Sequence, residues 1–144
     1  MKLFHIGDVL SITTGRLVSS KHIGGVYDIL NYMTGDELYT HQLPRACDEC
    51  LPAFRKQYPQ LFKEEPKVAA LLADLDRRLL VYGEKDKEAQ KDACAVWVED
   101  VRIAFGLPEM LPLYPANELH TFKDPIQEAC EMVGPEKVIA VGVE

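Results

Sequence analysis

Apolar residues recur at helical spacing along most of the chain. The most regular stripe follows Pro66, where apolar side chains occupy every third or fourth position: Val68, Leu71, Leu72, Leu75 and Leu79. The same periodicity predicts further helices over 26–33, 44–58, 93–105 and 125–133. Residues 9–14 are interpreted as a short helix, and a strand is the alternative because Ile12, Thr13 and Thr14 fit one equally well. The pattern therefore predicts a mostly helical protein with five to six helices.

Capping and helix-breaking residues set the predicted ends of these helices. Asp8 and Asp124 are typical N-caps for the first and the last helix. The pair Gly24 and Gly25 predicts a break before the second helix. Pro52 removes a hydrogen bond from a helix interior, so the third helical segment is interpreted either as two short helices or as one kinked helix.

Two terminal segments, 2–6 and 138–143, are predicted to be β-strands. Because a lone strand leaves its backbone donors and acceptors unpaired, each is the best internal partner for the other. Three prolines make 107–115 an extended segment that lies over the core. The predicted fold class is α+β, mostly α, with a short sheet formed by the N- and C-terminal strands. We expect one domain over 1–144, with a hinge between subregions near 63–66.

Negative charge is concentrated in the last part of the chain. The whole sequence has a net charge of -7, whereas residues 1–60 contain six basic and six acidic side chains. Residues 106–144 contain two lysines and seven acids, a net charge of -5. This charge argues against direct nucleic-acid binding and favours a partner with a basic surface, the alternative being a solvated face that keeps the protein soluble. The candidate partner-binding residues are Glu109, Glu118, Asp124, Glu128, Glu131 and Glu136.

Composition predicts a cytoplasmic protein. No segment approaches the roughly 18 apolar residues of a membrane-spanning helix, and residues 2–7 are too short and too polar for a signal peptide. The four cysteines are then expected to be reduced. We expect no membrane contact, and edge pairing of the terminal strand leaves a homodimer open.

A zinc site is the most conspicuous metal chemistry that the cysteine spacing offers. Cys47 and Cys50 are three residues apart, and His41, Cys94 or Cys130 would have to complete the site. Structural zinc sites usually show two tight ligand pairs, and only one is present here. A reduced cysteine on an apolar helix face is typical of a core residue, so we expect no cofactor apart from this weakly supported zinc ion.

Polar residues near the amino terminus offer an alternative function, a small enzyme or a ligand-binding sensor. Its site would be built from His5, Asp8, Arg16, His41 and Arg45. His41 and Arg45 precede or begin a predicted helix, where they would hold an anion. The alternative is that Arg45 pairs with a nearby carboxylate and that His41 binds local backbone. The chain contains none of the common nucleotide-binding or nucleophile motifs.

Three motifs in the first third of the chain carry a resemblance: FHIGDVLSITTGRL at 4–17, GVYDILNYMTGD at 25–36 and THQLPRA at 40–46. They resemble a family of small proteins encoded by bacteriophages and prophages, for which no activity and no functional residues are established. The resemblance implies a context. Small acidic phage proteins often bind a host protein and inhibit or redirect it, for instance in a defence system such as CRISPR-Cas.

The leading hypothesis is therefore a binding protein directed at a host protein, with the enzyme or sensor second and a zinc-stabilised structural module third. One structural feature separates the first two. An enzyme requires the five amino-terminal side chains to meet in one concave pocket, whereas a binding protein can use them singly as caps and ion pairs.

Overall fold

The fold is seen in a computed structural model, which describes residues 1–82 and 86–133. Within these ranges the chain forms six α-helices and two β-strands, in agreement with the predicted α+β, mostly α fold. The strands are β1 (Lys2–His5) and β2 (Met110–Leu113). The helices are α1 (Ile6–Thr14), α2 (Ile23–Thr34), α3 (Leu43–Gln57), α4 (Pro66–Tyr82), α5 (Lys87–Phe105) and α6 (Pro125–Val133).

The two strands form an antiparallel sheet in which Phe4 lies opposite Leu111 and Lys2 opposite Leu113. β2 belongs to the proline-containing segment 107–115, which the sequence predicted to be extended. Leu111 and Leu113 alternate inward and are buried on the same face as Phe4. β2 is thus the partner of β1 among the described residues, and the predicted strand 138–143 lies outside them.

Two predicted boundaries at the amino-terminal end of the chain were wrong. His5, not Asp8, is the N-cap of α1, because its Nδ1 atom accepts a hydrogen bond from the Gly7 N–H at 3.0 Å. Asp8 lies within the first turn, where its buried carboxylate accepts a hydrogen bond from the Ser19 hydroxyl. Gly24 and Gly25 do not break the chain but lie inside the first turn of α2.

α3 is one continuous helix that contains Pro52. The helix persists because its apolar stripe is fully buried at Ala46, Cys50 and Phe54, while the Pro52 ring is on the exposed side. Burial of this stripe offsets the hydrogen bond that the proline cannot donate. At the other end of the chain, Asp124 caps α6 as predicted.

The hydrophobic core extends from Phe4 to Ala116. All nine residues of α1 are buried, and α4 packs against α5 with Leu75 and Trp97 in the contact layer. The Trp97 indole N–H donates to the Leu71 carbonyl at 2.7 Å. The residues proposed as a hinge form a turn before α4, and the hinge stays a prediction. Of the helices described, none combines the length and apolar character needed to cross a membrane.

Candidate functional site

The polar site lies on one side of α3. Gln42, Arg45 and Glu49 are spaced three and four residues apart, which places them on the same side of a helix. Gln42 is fully buried, and its Oε1 atom accepts a hydrogen bond from the Tyr39 N–H at 3.0 Å. This contact orients the amide so that its NH₂ group points away from Tyr39. The side of α3 therefore presents amide and guanidinium donors together.

These donors hold the carboxylate of Glu128, which comes from α6. Arg45 donates twice, from Nε to Oε2 at 2.7 Å and from Nη2 to Oε1 at 2.6 Å. Gln42 donates to Oε1 at 3.0 Å. The hydrogen bonds from Arg45 lower the pKa of Glu128 to about 2; burial opposes this shift, and the Gln42 hydrogen bond adds to it. Glu128 is therefore a buried carboxylate at neutral pH.

A second carboxylate, Glu49, joins this pair to His120. Arg45 Nη1 lies 3.0 Å from both oxygens of Glu49, and the Thr121 N–H donates to Oε2 at 3.1 Å. His120 Nδ1 lies 2.7 Å from Glu49 Oε1, and its Nε2 atom lies 3.0 Å from Asp36 Oδ2. Burial tends to raise the pKa of Glu49, but the His120 and Thr121 hydrogen bonds and the Arg45 charge lower it. Both ring nitrogens of His120 donate to a carboxylate only in the imidazolium form.

The network connects two distant parts of the chain. Its α3 side belongs to the first 60 residues, whereas His120, Thr121 and Glu128 belong to residues 117–133, which we call the carboxy-terminal segment. His41 adds a further contact, because its Nε2 atom donates to the Pro125 carbonyl at 2.8 Å. Three polar residues of the THQLPRA motif therefore bind this segment. Chemically, the site is a carboxylate-binding site, occupied by a carboxylate of the same chain.

The five residues predicted for an enzyme lie in four separate places. His5 caps α1 and lies 3.4 Å from Glu109. Asp8 is buried against Ser19, and Arg16 pairs with Asp76 of α4. His41 and Arg45 belong to the carboxylate network, so Arg45 binds carboxylates of its own chain at both ends of its guanidinium group. These five side chains do not share one pocket.

The predicted partner-binding acids differ in their surroundings. Glu118 is exposed and, among the residues that the structure describes, makes no ion pair. Asp124 is exposed but serves as the α6 N-cap. Glu131 is half exposed and pairs with Lys123 at 2.9 Å. Glu109 is exposed beside His5, and Glu136 lies outside the described residues.

Glu128 is the acid whose surroundings differ most from the expectation. Its side chain is only 5% exposed, because Arg45 and Gln42 hold it against α3. It does not belong to the solvent-facing acidic surface that the sequence suggested. The acidic surface of the carboxy-terminal segment consists of Glu118, Asp124 and Glu131.

The cysteines do not form a metal site with His41. Within 1–82 and 86–133, no group of three His, Cys, Asp or Glu side chains is placed to hold a metal ion. Cys50 is fully buried, and burial followed by the neighbouring Cys47 and Glu49 raises its pKa to about 12. Burial and the Asp48 charge also raise the pKa of Cys47.

Glu49, Asp36 and His120 were not predicted as members of the site. Glu49 follows Arg45 by four residues, a spacing typical of a helical ion pair, and this signal was available. His120 is separated by 71 residues from Glu49 and by 84 from Asp36. No local pattern indicates a pairing over that distance.

Fold and site define a class: a mostly helical α+β protein whose amino-terminal part binds its own carboxy-terminal segment through buried charges. The model of a family described as a domain of unknown function, DUF7736, matches residues 4–63. That range runs from β1 to the turn before α4 and contains the entire α3 side of the network. No curated protein and no solved structure matches the chain.

Proposed function

We propose that the protein is a phage-encoded accessory protein that binds a host protein through its carboxy-terminal segment and thereby inhibits or redirects it. The observation that carries this proposal is the exposure of large apolar side chains on that segment. Phe122, Ile126 and Met132 are 57%, 71% and 58% exposed. Such residues are expensive to leave in water and are typical of the centre of a protein interface.

The charge around these side chains indicates the chemistry of the partner. Glu118, Asp124 and Glu131 belong to the same segment, and Lys123, its one lysine or arginine among the described residues, is paired with Glu131. An apolar centre with a charged rim is the usual composition of a protein–protein interface. Because the rim is acidic, it favours a partner with a basic surface and speeds their association.

The internal pairing of the other ionisable groups supports binding rather than catalysis. His41, Arg45, Glu49 and His120 each bind another group of the protein in one network. His41, Arg45 and Glu49 also line a cleft of about 550 Å³, but the hydrogen bonds that they make go to the protein's own groups. The network instead fixes the backbone of the carboxy-terminal segment. A surface held in this way loses little conformational entropy on binding, which favours affinity.

The phage context and the choice of a host partner come from the motifs at 4–17, 25–36 and 40–46. Host defence complexes that bind nucleic acid carry basic working surfaces, so an acidic protein that covers such a surface would inhibit it. A defence system such as CRISPR-Cas is the first target class to examine.

Co-elution with a panel of purified host defence complexes tests the proposal. The informative variant is Phe122→Ala with Ile126→Ala, which we expect to abolish co-elution while the fold is retained. The matched control is Leu80→Ala with Val81→Ala, two apolar residues at the end of α4 that are 82% and 80% exposed, which should co-elute like the unmodified protein. Glu118→Lys should slow association, and Glu64→Lys should not. Lack of co-elution across the panel, or equal loss in both apolar variants, would refute the proposal.

A further inference from the structure

A cavity of about 620 Å³ lies on another part of the molecule, between the loop 17–22 and the first half of α5. Its apolar walls include Val18, Leu79 and Val98, of which Val18 and Val98 belong to the buried core. Cys94 and Ala95 of α5 also line the cavity. A cavity of this volume with apolar walls is within the range of small-molecule binding sites.

Two lysines of α5, Lys87 and Lys91, also line the cavity. They are four residues apart on one side of the helix, where like charges repel each other. They also lie in the first turns of α5, where the helix dipole disfavours positive charge. Across residues 1–82 and 86–133, neither lysine makes an ion pair or a side-chain hydrogen bond. An anion bound between the two groups would relieve this repulsion.

Other ionisable groups, besides the two lysines, also line the cavity. Glu99 lines it but is bonded to Arg102, so among the described lining residues Asp92 is the acid whose charge offsets that of the two lysines. His5 also lines it, and its Nδ1 atom accepts the Gly7 N–H. In the neutral ring the proton is therefore on Nε2, and that atom lies 3.4 Å from Glu109 Oε1. Among the described lining residues, Lys87, Lys91 and Asp92 therefore leave a net positive charge.

We propose that this cavity binds a small amphipathic anion, a molecule with an apolar body and one carboxylate, sulfonate or phosphate group. The apolar walls take up the body, and Lys87 and Lys91 bind the anionic group. The site is separate from the carboxy-terminal segment, so it does not depend on the proposed function.

Two fluorescent probes that differ in one sulfonate group test this proposal. 1-Anilinonaphthalene-8-sulfonate carries the anion, and N-phenyl-1-naphthylamine is the same molecule without it. We expect saturable one-site binding of the anionic probe. Lys87→Glu with Lys91→Glu should lower the affinity for the anionic probe about tenfold or more and leave that for the neutral probe nearly unchanged. The matched control, Lys56→Glu with Lys63→Glu, changes the net charge equally at exposed positions elsewhere and should have little effect.

Two further measurements locate the probe and do not depend on the charge-reversal variants. Ala95→Phe fills the cavity from an exposed position and should weaken binding of both probes. In the unmodified protein, the anionic probe should slow alkylation of Cys94 and leave the partly buried Cys47 unaffected. Unchanged alkylation of Cys94, or equal loss of the anionic probe's affinity in the two lysine variants, would overturn the proposal.

Discussion

Replacing Glu128 by glutamine should destabilise the protein in a pH-dependent manner. Glutamine has the shape of a protonated carboxyl group, with one acceptor and one donor edge. Its NH₂ group would face the Arg45 guanidinium, which has only donors. The variant therefore reproduces the low-pH state of the site at every pH. It removes the charge and leaves one Arg45 N–H without an acceptor.

The size of the effect follows from the pKa of Glu128. The folded protein lowers this pKa from an ordinary value of 4.5 to about 2, and each pKa unit corresponds to 1.36 kcal/mol, which gives an upper value of about 3 kcal/mol. Because the Arg45 side chain is 24% exposed, solvent reduces this contribution, and we expect about 2 kcal/mol. A carboxyl with a lowered folded pKa stabilises the protein above pH 4.5. That stabilisation is lost as the pH falls from 4.5 toward 2.

Urea denaturation of the unmodified protein and of Glu128→Gln between pH 2 and pH 7 measures this difference. The two free energies of unfolding should differ by about 2 kcal/mol at pH 7 and converge near pH 2. Hydrogen exchange over 117–133 should rise in the variant at neutral pH, because Glu128 holds this segment. Glu118→Gln, an exposed acid of the same segment, is the control and should change stability by less than about 0.5 kcal/mol. A difference that is constant with pH, or that is equally large in the control, would refute the reasoning.

Three other predictions concern the core and the thiols. Gly25→Ala should destabilise the protein by about 1–3 kcal/mol because the new Cβ overlaps the Ser19 hydroxyl. The control Gly24→Ala, whose Cβ meets open space, should be neutral or stabilising by up to about 1 kcal/mol; urea denaturation compares the two. Trp97→Phe should cost about 1–3 kcal/mol, because it removes the indole hydrogen bond to α4, as thermal unfolding followed by circular dichroism will show. At pH 8, iodoacetamide should alkylate Cys50 about 100-fold or more slowly in the folded protein than in urea, measured by mass spectrometry of its peptide.

Much of the fold could be predicted from local sequence. The apolar stripes of α4 and α5 each indicate a helix with one buried side, and the structure has these helices. Gly35 and Gly106 end α2 and α5 in the left-handed conformation that glycine favours. These features depend on residues within two or three helical turns, which a sequence pattern records directly.

The predictions that failed depend on tertiary contacts. Asp8 has the composition of an N-cap, but it is buried beside Ser19, and the helix begins at Ile6 instead. Gly25 suggested a break, but it lies inside α2. A side chain at this position would overlap Asp8 and Ser19, because the helix passes close to both of them. In both cases a contact between α1 and the following loop determines the structure. Local sequence preferences give no information about that tertiary contact.

The candidate site was predictable only on its α3 side. His41 and Arg45 were predicted either to hold an anion or to pair with a nearby carboxylate and local backbone. In the structure Arg45 binds the carboxylates of Glu49 and Glu128, and His41 donates to the distant Pro125 carbonyl. Glu128 itself was assigned to an exposed acidic surface, because an acid in an acidic segment gives no sign of its partner. A buried carboxylate must be hydrogen-bonded. The donors of Glu128, Arg45 and Gln42, come close to it only when α3 and α6 pack together.

The Arg45–Glu128 pair also determines which side of α6 faces solvent. A short amphipathic helix normally buries its apolar side, but α6 places Glu128 against α3 and leaves Ile126 and Met132 exposed. The free energy for this orientation comes from the hydrogen bonds and charge of Arg45 and Gln42, which offset the burial of the carboxylate. Glu128 therefore acts on the proposed binding surface without belonging to it, because the pair that fixes α6 also determines its exposed side.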